Sequence, residues 1–247
     1  MPVVFFIKRI VPVCIFLMTF SCSIKLYCIN PFDSLTFYQN DKEQDTLKNK
    51  QNLYNGKVWT NRYRKVNSDQ FLFSNYFMPG TVSVMGRTYR NLHIKYDIYS
   101  DEILIPFNDD EILQLNKEMV DSFSINFENK VYKFIKIKTG TLNNYPDYNG
   151  YLNVLYNKKS VLYVKYKKEI SSGNEDLNEV EFTPNQKIYF YKNNIVYQII
   201  TKKDLFNALD ANPGQIKEFI KANKLKVSKK IAESYIQVIR FSDNMNQ

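Results

Sequence analysis

The chain has 247 residues (29.3 kDa), 44% apolar and 24% charged, which suits one domain with a core and rules out overall disorder. Seven glycines and eight prolines exclude a collagen-like or low-complexity polymer, three cysteines exclude a disulfide scaffold or an all-cysteine zinc cluster, and one histidine excludes chemistry that needs two. The formal charge of +9 comes from 28 Lys and only 6 Arg, beside 28 Asn and 19 Tyr, a bias toward AT-rich codons spread along strand-like segments, so no nucleic-acid partner is expected.

Lys8 and Arg9 precede an apolar run from Ile10 to Phe20, and Ser21-Cys22-Ser23 follow. That is the order of a secretory signal over residues 1–23. The uncharged stretch from Ile10 to Ile24 is 15 residues, short of the roughly 20 a transmembrane helix needs. Export with cleavage is expected, to the periplasm or the outer surface. Thr19-Phe20-Ser21-Cys22 partly resembles a lipoprotein processing box, departing from it at Thr19 and Phe20. Cys22 is therefore the candidate lipidation site, and the membrane is a partner only if it is lipidated. Cleavage after Ser23 leaves Cys28 without a disulfide partner.

Residues 24–52 are polar and read as a tether, residues 53–200 as an antiparallel β domain, and residues 201–247 as a helical segment packed on the same domain. Leu92, Ile94, Tyr96 and Ile98 alternate with His93, Lys95, Asp97 and Tyr99, the period of a strand with one buried face. Turns are expected at Gly86-Arg87, Ser100-Asp101, Glu128-Asn129, Asn157 to Lys159 and Asn193-Asn194, the last because Asn tolerates positive φ. Thr139 to Gly150 reads as a turn-rich loop and Glu169 to Pro184 as a mobile loop. Thr201 to Asp204 is a capping-box start, Asn212-Pro213 a second N-cap, and Ser228 a candidate third cap before Ala232, Tyr235, Ile236 and Ile239.

Three stretches carry a resemblance: Lys95-Tyr-Asp-Ile-Tyr-Ser-Asp-Glu102, Ile216 to Lys226, and Gln70-Phe-Leu-Phe-Ser74 with Met78-Pro-Gly80. Together, over about Leu53 to Asp243, the chain resembles a group of secreted proteins widespread in Bacteroidota, for which no activity is known. The resemblance implies a signal-bearing, extracytoplasmic protein and supplies no catalytic residue. Ala232 departs from a proline common in the group, and Arg240 to Asp243 from a Tyr-Tyr-Asp ending.

The chemistry is sparse. His93 lies on the polar face of its strand, with no Gly-x-Ser-x-Gly elbow in the chain. Asp97, Asp101 and Glu102, and the tripeptide Asp109-Asp110-Glu111, read as turn and solvated-edge acids, since neighbouring acids on a strand face opposite ways. No phosphate-binding glycine loop occurs. No catalytic residue, metal ligand or cofactor is expected. Aromatics are the one surplus: Phe71, Phe73, Phe123 and Phe127 read as core, and Tyr145, Tyr148 and Trp59 as surface candidates for ligand contact.

The expected fold is mainly β with C-terminal helices, an antiparallel β-meander that is either an open twisted sheet or a partly closed barrel, with two or three short helices packed on it. The expected function is a non-enzymatic binding or assembly role in the cell envelope, toward an envelope protein or a small ligand. The alternative is a small-ligand carrier with an aromatic-lined barrel interior. A carboxylate-only enzyme ranks third.

Overall fold

Paired residues of positive φ set the frame of the sheet. Met85-Gly86 (φ 50° and 78°), Glu128-Asn129 (47° and 60°) and Asn193-Asn194 (49° and 62°) each make a two-residue connection whose twist matches the flanking strands. The last two stand where the sequence places them. The first falls one residue earlier than Gly86-Arg87, because Arg87 already pairs with Val84.

A computed structural model describes residues 51–63, 65–66, 68–137, 145, 148–174, 179–209, 211–228 and 230–245. The expected signal over residues 1–23 with Cys22, Cys28 and the expected tether as far as residue 50, and most of the Thr139–Gly150 loop, lie outside the described residues. The strands are β1 (Gly56–Val58), β2 (Lys65–Val66), β3 (Met78–Val84), β4 (Arg87–Asp97), β5 (Glu102–Pro106), β6 (Ile112–Leu115), β7 (Val120–Phe127), β8 (Lys130–Ile137), β9 (Gly150–Asn157), β10 (Val161–Asn174), β11 (Glu179–Lys192) and β12 (Ile195–Ile199). Helices α1 (Lys202–Ala208) and α2 (Pro213–Ala222), a 3₁₀ turn (Ala232–Tyr235) and α3 (Ile236–Met245) follow.

The strand order is β1-β6-β5-β4-β3-β7-β8-β9-β10-β11-β12, antiparallel throughout, with β2 adding a short parallel pair to β11. The order is linear, its edges are β1 and β12, and the sheet is not closed. It is nevertheless rolled. In a flat sheet β6 and β7 would stand about 19 Å apart, with three strands between them. The chain joins them through the turn Asn116–Met119, closed by Met119 N–H on Asn116 O (3.0 Å), and such a turn spans less than about 7 Å. The β3–β6 half must therefore curl over, and its concave face becomes a core.

That core holds Val82, Val84, Ile94, Tyr96, Ile103, Ile105, Leu113, Leu115, Phe123, Phe134 and Tyr151. Phe123 and Phe134 stack at 4.6 Å, and Tyr96 and Tyr151 meet Phe123 edge-on at 5.0 and 5.1 Å. Each such side chain contributes about 1.5–3 kcal/mol on burial. A second core lies between β10–β12 and the helices, joining Leu162, Val164, Ile188, Phe190 and Ile199 to Leu205, Leu209, Ile216, Tyr235, Val238 and Ile239. The helical stripes thus pack on one sheet face, as their spacing indicates.

Three expectations are corrected. Glu169 to Asn174 and Glu179 to Pro184 are strand and not loop: β10 and β11 pair from Val161↔Tyr191 out to Asn174↔Glu179, past a bulge between Ile170 and Ser172, and residues 175–178 lie outside the described residues. Backbone ladder bonds hold strands whose composition is turn-like. Ser228 is no cap: its backbone bridges Ile231, and the helical turn begins at Ala232 with no side-chain cap. The polar face of β4 is covered at its far end, where Lys95 and Asp97 are buried, while His93 on the same face stays exposed. The segment leading to β3 folds back over them: Leu72 N–H donates to Tyr96 O (2.9 Å), Ile98 N–H donates to Gln70 O (3.1 Å), and Phe71 bridges Asp97.

Candidate functional site

The structure scatters the predicted site residues. Tyr148 is 5% exposed, its ring against Tyr163 (6.1 Å) and Tyr189 (5.1 Å), so it is core and not a contact surface. Its ring lies inward because Tyr163 of β10 and Tyr189 of β11 offer it an apolar bed. Tyr145 is half-buried, 6.0 Å from Tyr189. Trp59 is half-buried beside Phe71 (5.9 Å) and directly follows β1. His93 is exposed on β4, opposite Pro79. Among the described residues no three His, Cys, Asp or Glu side chains converge as metal ligands.

The carboxylate that sequence reasoning assigns to a solvated turn holds a network of three side chains in the rolled half. Asp101 (φ 60°) follows β4. Its Oδ1 accepts from the Tyr96 hydroxyl and from Lys165 Nζ (2.8 Å), and its Oδ2 accepts from Lys117 Nζ (2.7 Å). Lys165 also donates to Asn149 O (3.1 Å). Gly150 (φ 80°) closes the arrangement, since a Cβ there would collide with the Asp101 carboxylate. Burial lowers the Lys165 pKa while Asp101 pulls it back; burial, then Asp101, pushes the Tyr96 phenol well up. Lys117 stands 5.7 Å from the Tyr151 ring centroid, and the Tyr151 hydroxyl is buried with no hydrogen-bond partner among the described residues. Chemically this is a fastener. One carboxylate ties β4, the β6–β7 turn and β10, and its lone pairs are committed inside the molecule.

The surface beside it has a different character. Asn116, next to Lys117, donates its N–H to Asn55 O (3.2 Å), so the same turn anchors β1. Gly56, Lys57 and Val58 pair with Leu115, Gln114 and Leu113, and β1 is an edge. Around it Tyr54 is 39%, Val58 55% and Phe107 49% exposed, with the Tyr54 and Phe107 rings 5.7 Å apart. Apolar groups joined in one exposed patch at a strand edge are a recognition feature. Of the predicted residues that are described, Trp59 alone is a sequence neighbour of this patch, and its ring lies beside Phe71. Sequence reasoning missed the rest because β1 is three residues long and carries no countable alternation.

No family model matches the chain, and neither a curated protein nor a solved structure does.

Proposed function

We propose that the chain is an exported cell-envelope protein that acts by binding or assembly and not by turnover. One observation carries this: the edge strand β1 with Tyr54, Val58 and Phe107 exposed around it. Folding leaves apolar area in water there, and covering it on association is favourable. The charged n-region, short apolar run and small-residue exit of residues 1–23 support export. The ring-to-ring packing of Tyr96, Phe123, Phe134 and Tyr151 supports this reading over a carrier whose interior receives a small ligand.

The test places a photo-crosslinking benzoylphenylalanine at Phe107 of the full chain in its own cells, with Lys158, an exposed turn residue, as control position. A discrete adduct from position 107 alone is expected, on a chain that begins at Ile24 or at a lipidated Cys22. Equal labelling from both positions, no adduct, or an uncleaved Met1 overturns the reading.

A further inference from the structure

Charge is segregated along the chain. Residues 201–230 hold eight Lys and three acids, whereas residues 97–128 hold nine acids and one Lys. The acidic stretch runs from the end of β4 through β7, toward the β1 end of the strand order, and the basic one lies in the helical layer on β10–β12. Within the basic stretch Lys202, Lys203, Lys221, Lys224, Lys226 and Lys230 are exposed, and none of them makes an ion pair among the described residues. Asp204 is committed to its cap, where its Oδ2 accepts from Ile200 N–H (3.1 Å) and Thr201 N–H (2.7 Å).

The fold brings part of this charge to two exposed isoleucines. Ile199 pairs with Ile188, so the chain leaves β12 at the level of Gln186, two residues before Ile188 and on the face that the helices cover. Gln186 Nε2 donates to Lys230 O (3.1 Å). Residues 200–203 and residues 230–231 therefore come together at Gln186, with Ile200 57% and Ile231 58% exposed. Lys224 (φ 51°) turns the chain out of α2, with Leu225 N–H on Ile220 O (3.0 Å). Lys224 and Lys226 then flank half-buried Leu225, ahead of buried Val227, and lead the chain to Lys230.

Exposed aliphatic side chains among unpaired cations match the boundary of an anionic bilayer, where isoleucine enters the acyl edge and lysine reaches the phosphates. Lysine is a flexible point charge that suits a fluid anionic plane. Fixed recognition of an acidic protein favours Arg, and residues 200–231 contain none. They offer no free aromatic anchor either, since Phe206 packs on the second core and Phe219 stacks on Phe241 at 4.1 Å. An anionic plane also repels the acidic stretch, which orients the molecule on it.

We propose that this patch is a membrane-contact surface for anionic phospholipid, seated by Ile200 and Ile231 and held by Lys202, Lys203, Lys226 and Lys230. It goes beyond the β1 edge, does not depend on it, and acts without an acyl chain at Cys22.

The full chain is sedimented with vesicles of phosphatidylcholine, alone or mixed with phosphatidylglycerol. Partition at least about tenfold higher into the anionic vesicles is expected, and it is lost at high salt. Lys226→Gln with Lys230→Gln lowers it about 20-fold, whereas Lys57→Gln with Lys158→Gln, exposed lysines of β1 and of the β9–β10 turn, lowers it less than about threefold. Ile231→Trp reports the seating: its emission, after subtraction of the Trp59 signal of the unsubstituted chain, moves to shorter wavelength on anionic vesicles. No preference for anionic vesicles overturns the proposal. Equal loss from both lysine pairs leaves only diffuse attraction and overturns it. Sedimentation without a shift at position 231 shows that another part of the chain holds the vesicle, and overturns it. A shift at position 231 on polyglutamate as large as on vesicles assigns the patch to an acidic protein and overturns it. Failure of the crosslinking at position 107 removes the functional reading and leaves this surface standing.

Discussion

Lys165 reaches back 64 residues to set its ammonium 2.8 Å from Asp101 Oδ1, with its side chain 5% exposed. Removing one member of a buried pair strands the other, which costs about 3–5 kcal/mol. Asp101→Ala is expected to lower the urea midpoint accordingly. Asp101→Asn combined with Lys165→Met recovers a large part of the loss, since neither charge then remains buried alone. A double variant no better than the single would show that the pair is not coupled.

Asp97 gives the fold a signed pH dependence. It is buried, and its Oδ1 accepts from the N–H groups of Tyr99 (3.0 Å) and Ser100 (2.9 Å). Burial pushes its carboxyl up to about 6 while those bonds pull it down. The unfolded value is about 3.9, so the folded state holds the proton more tightly. Its stabilising share is complete below pH about 3.9 and lost as pH rises through about 6. Between pH 7.5 and 4.5 this group adds at most about 2 kcal/mol. Asp97→Asn, which keeps the acceptor oxygen, is expected to remove that part of the slope. Denaturation midpoints of the two proteins across this range decide it, and parallel curves would refute it.

Lys95 is held 4.6 Å from the Phe71 ring centroid and 4.4 Å from that of Phe77, with its ammonium on Asn75 Oδ1 (3.1 Å). Burial lowers its pKa and Asp69 partly restores it, so desolvation outweighs the nearby charge. Lys95→Met keeps the stem between the rings and drops the charge. It is expected to be neutral or to gain up to about 1 kcal/mol, whereas Lys95→Ala loses about 2 kcal/mol by leaving a gap. Thermal melts of both variants give the comparison, and a Met variant as unstable as Ala would mean the charge itself stabilises.

Asp243 fastens the last helix. Its Oδ2 accepts from the Tyr156 hydroxyl (3.0 Å), Ser160 N–H (3.2 Å) and the Ser160 hydroxyl (3.0 Å). Asp243→Ala leaves three buried donors unmet and is expected to cost about 2–4 kcal/mol. Hydrogen exchange in α3 is expected to quicken ahead of exchange in the rolled core. Uniform acceleration throughout would contradict a local anchor.

What the sequence reveals follows the range of the interaction. Asn193-Asn194 and the Thr201–Asp204 capping box are set by neighbours, and both appear where they are expected, the second with Asp204 Oδ2 accepting from Thr201 N–H (2.7 Å). The burial of Lys95 and Asp97 is not readable from a period of two, because what covers them is Phe71 and Leu72 folding back. Asp101 looks like a turn acid for the same reason: Lys117 and Lys165 lie 16 and 64 residues downstream. The loop composition around Tyr148 says nothing about the rings of Tyr163 and Tyr189 that its ring meets. The β1 edge rests on register with β6, and a three-residue strand has no register of its own.

The rolled half also imposes an order of events on folding. The pairings of β7 to β12 with one another all join sequence neighbours, whereas the ladder from Gly80↔Ile125 to Val84↔Val120 joins β3 to β7 across the excursion of β4, β5 and β6. Closing that excursion costs chain entropy before any contact offsets it, so the distal meander has the kinetic advantage. Pulse-labelled refolding is expected to protect the amides of β10 and β11 first and those of β3 last. During that interval β3 is a second unpaired edge, and the nascent protein is most open to mispairing with other chains there, on a strand that the mature fold buries between two neighbours.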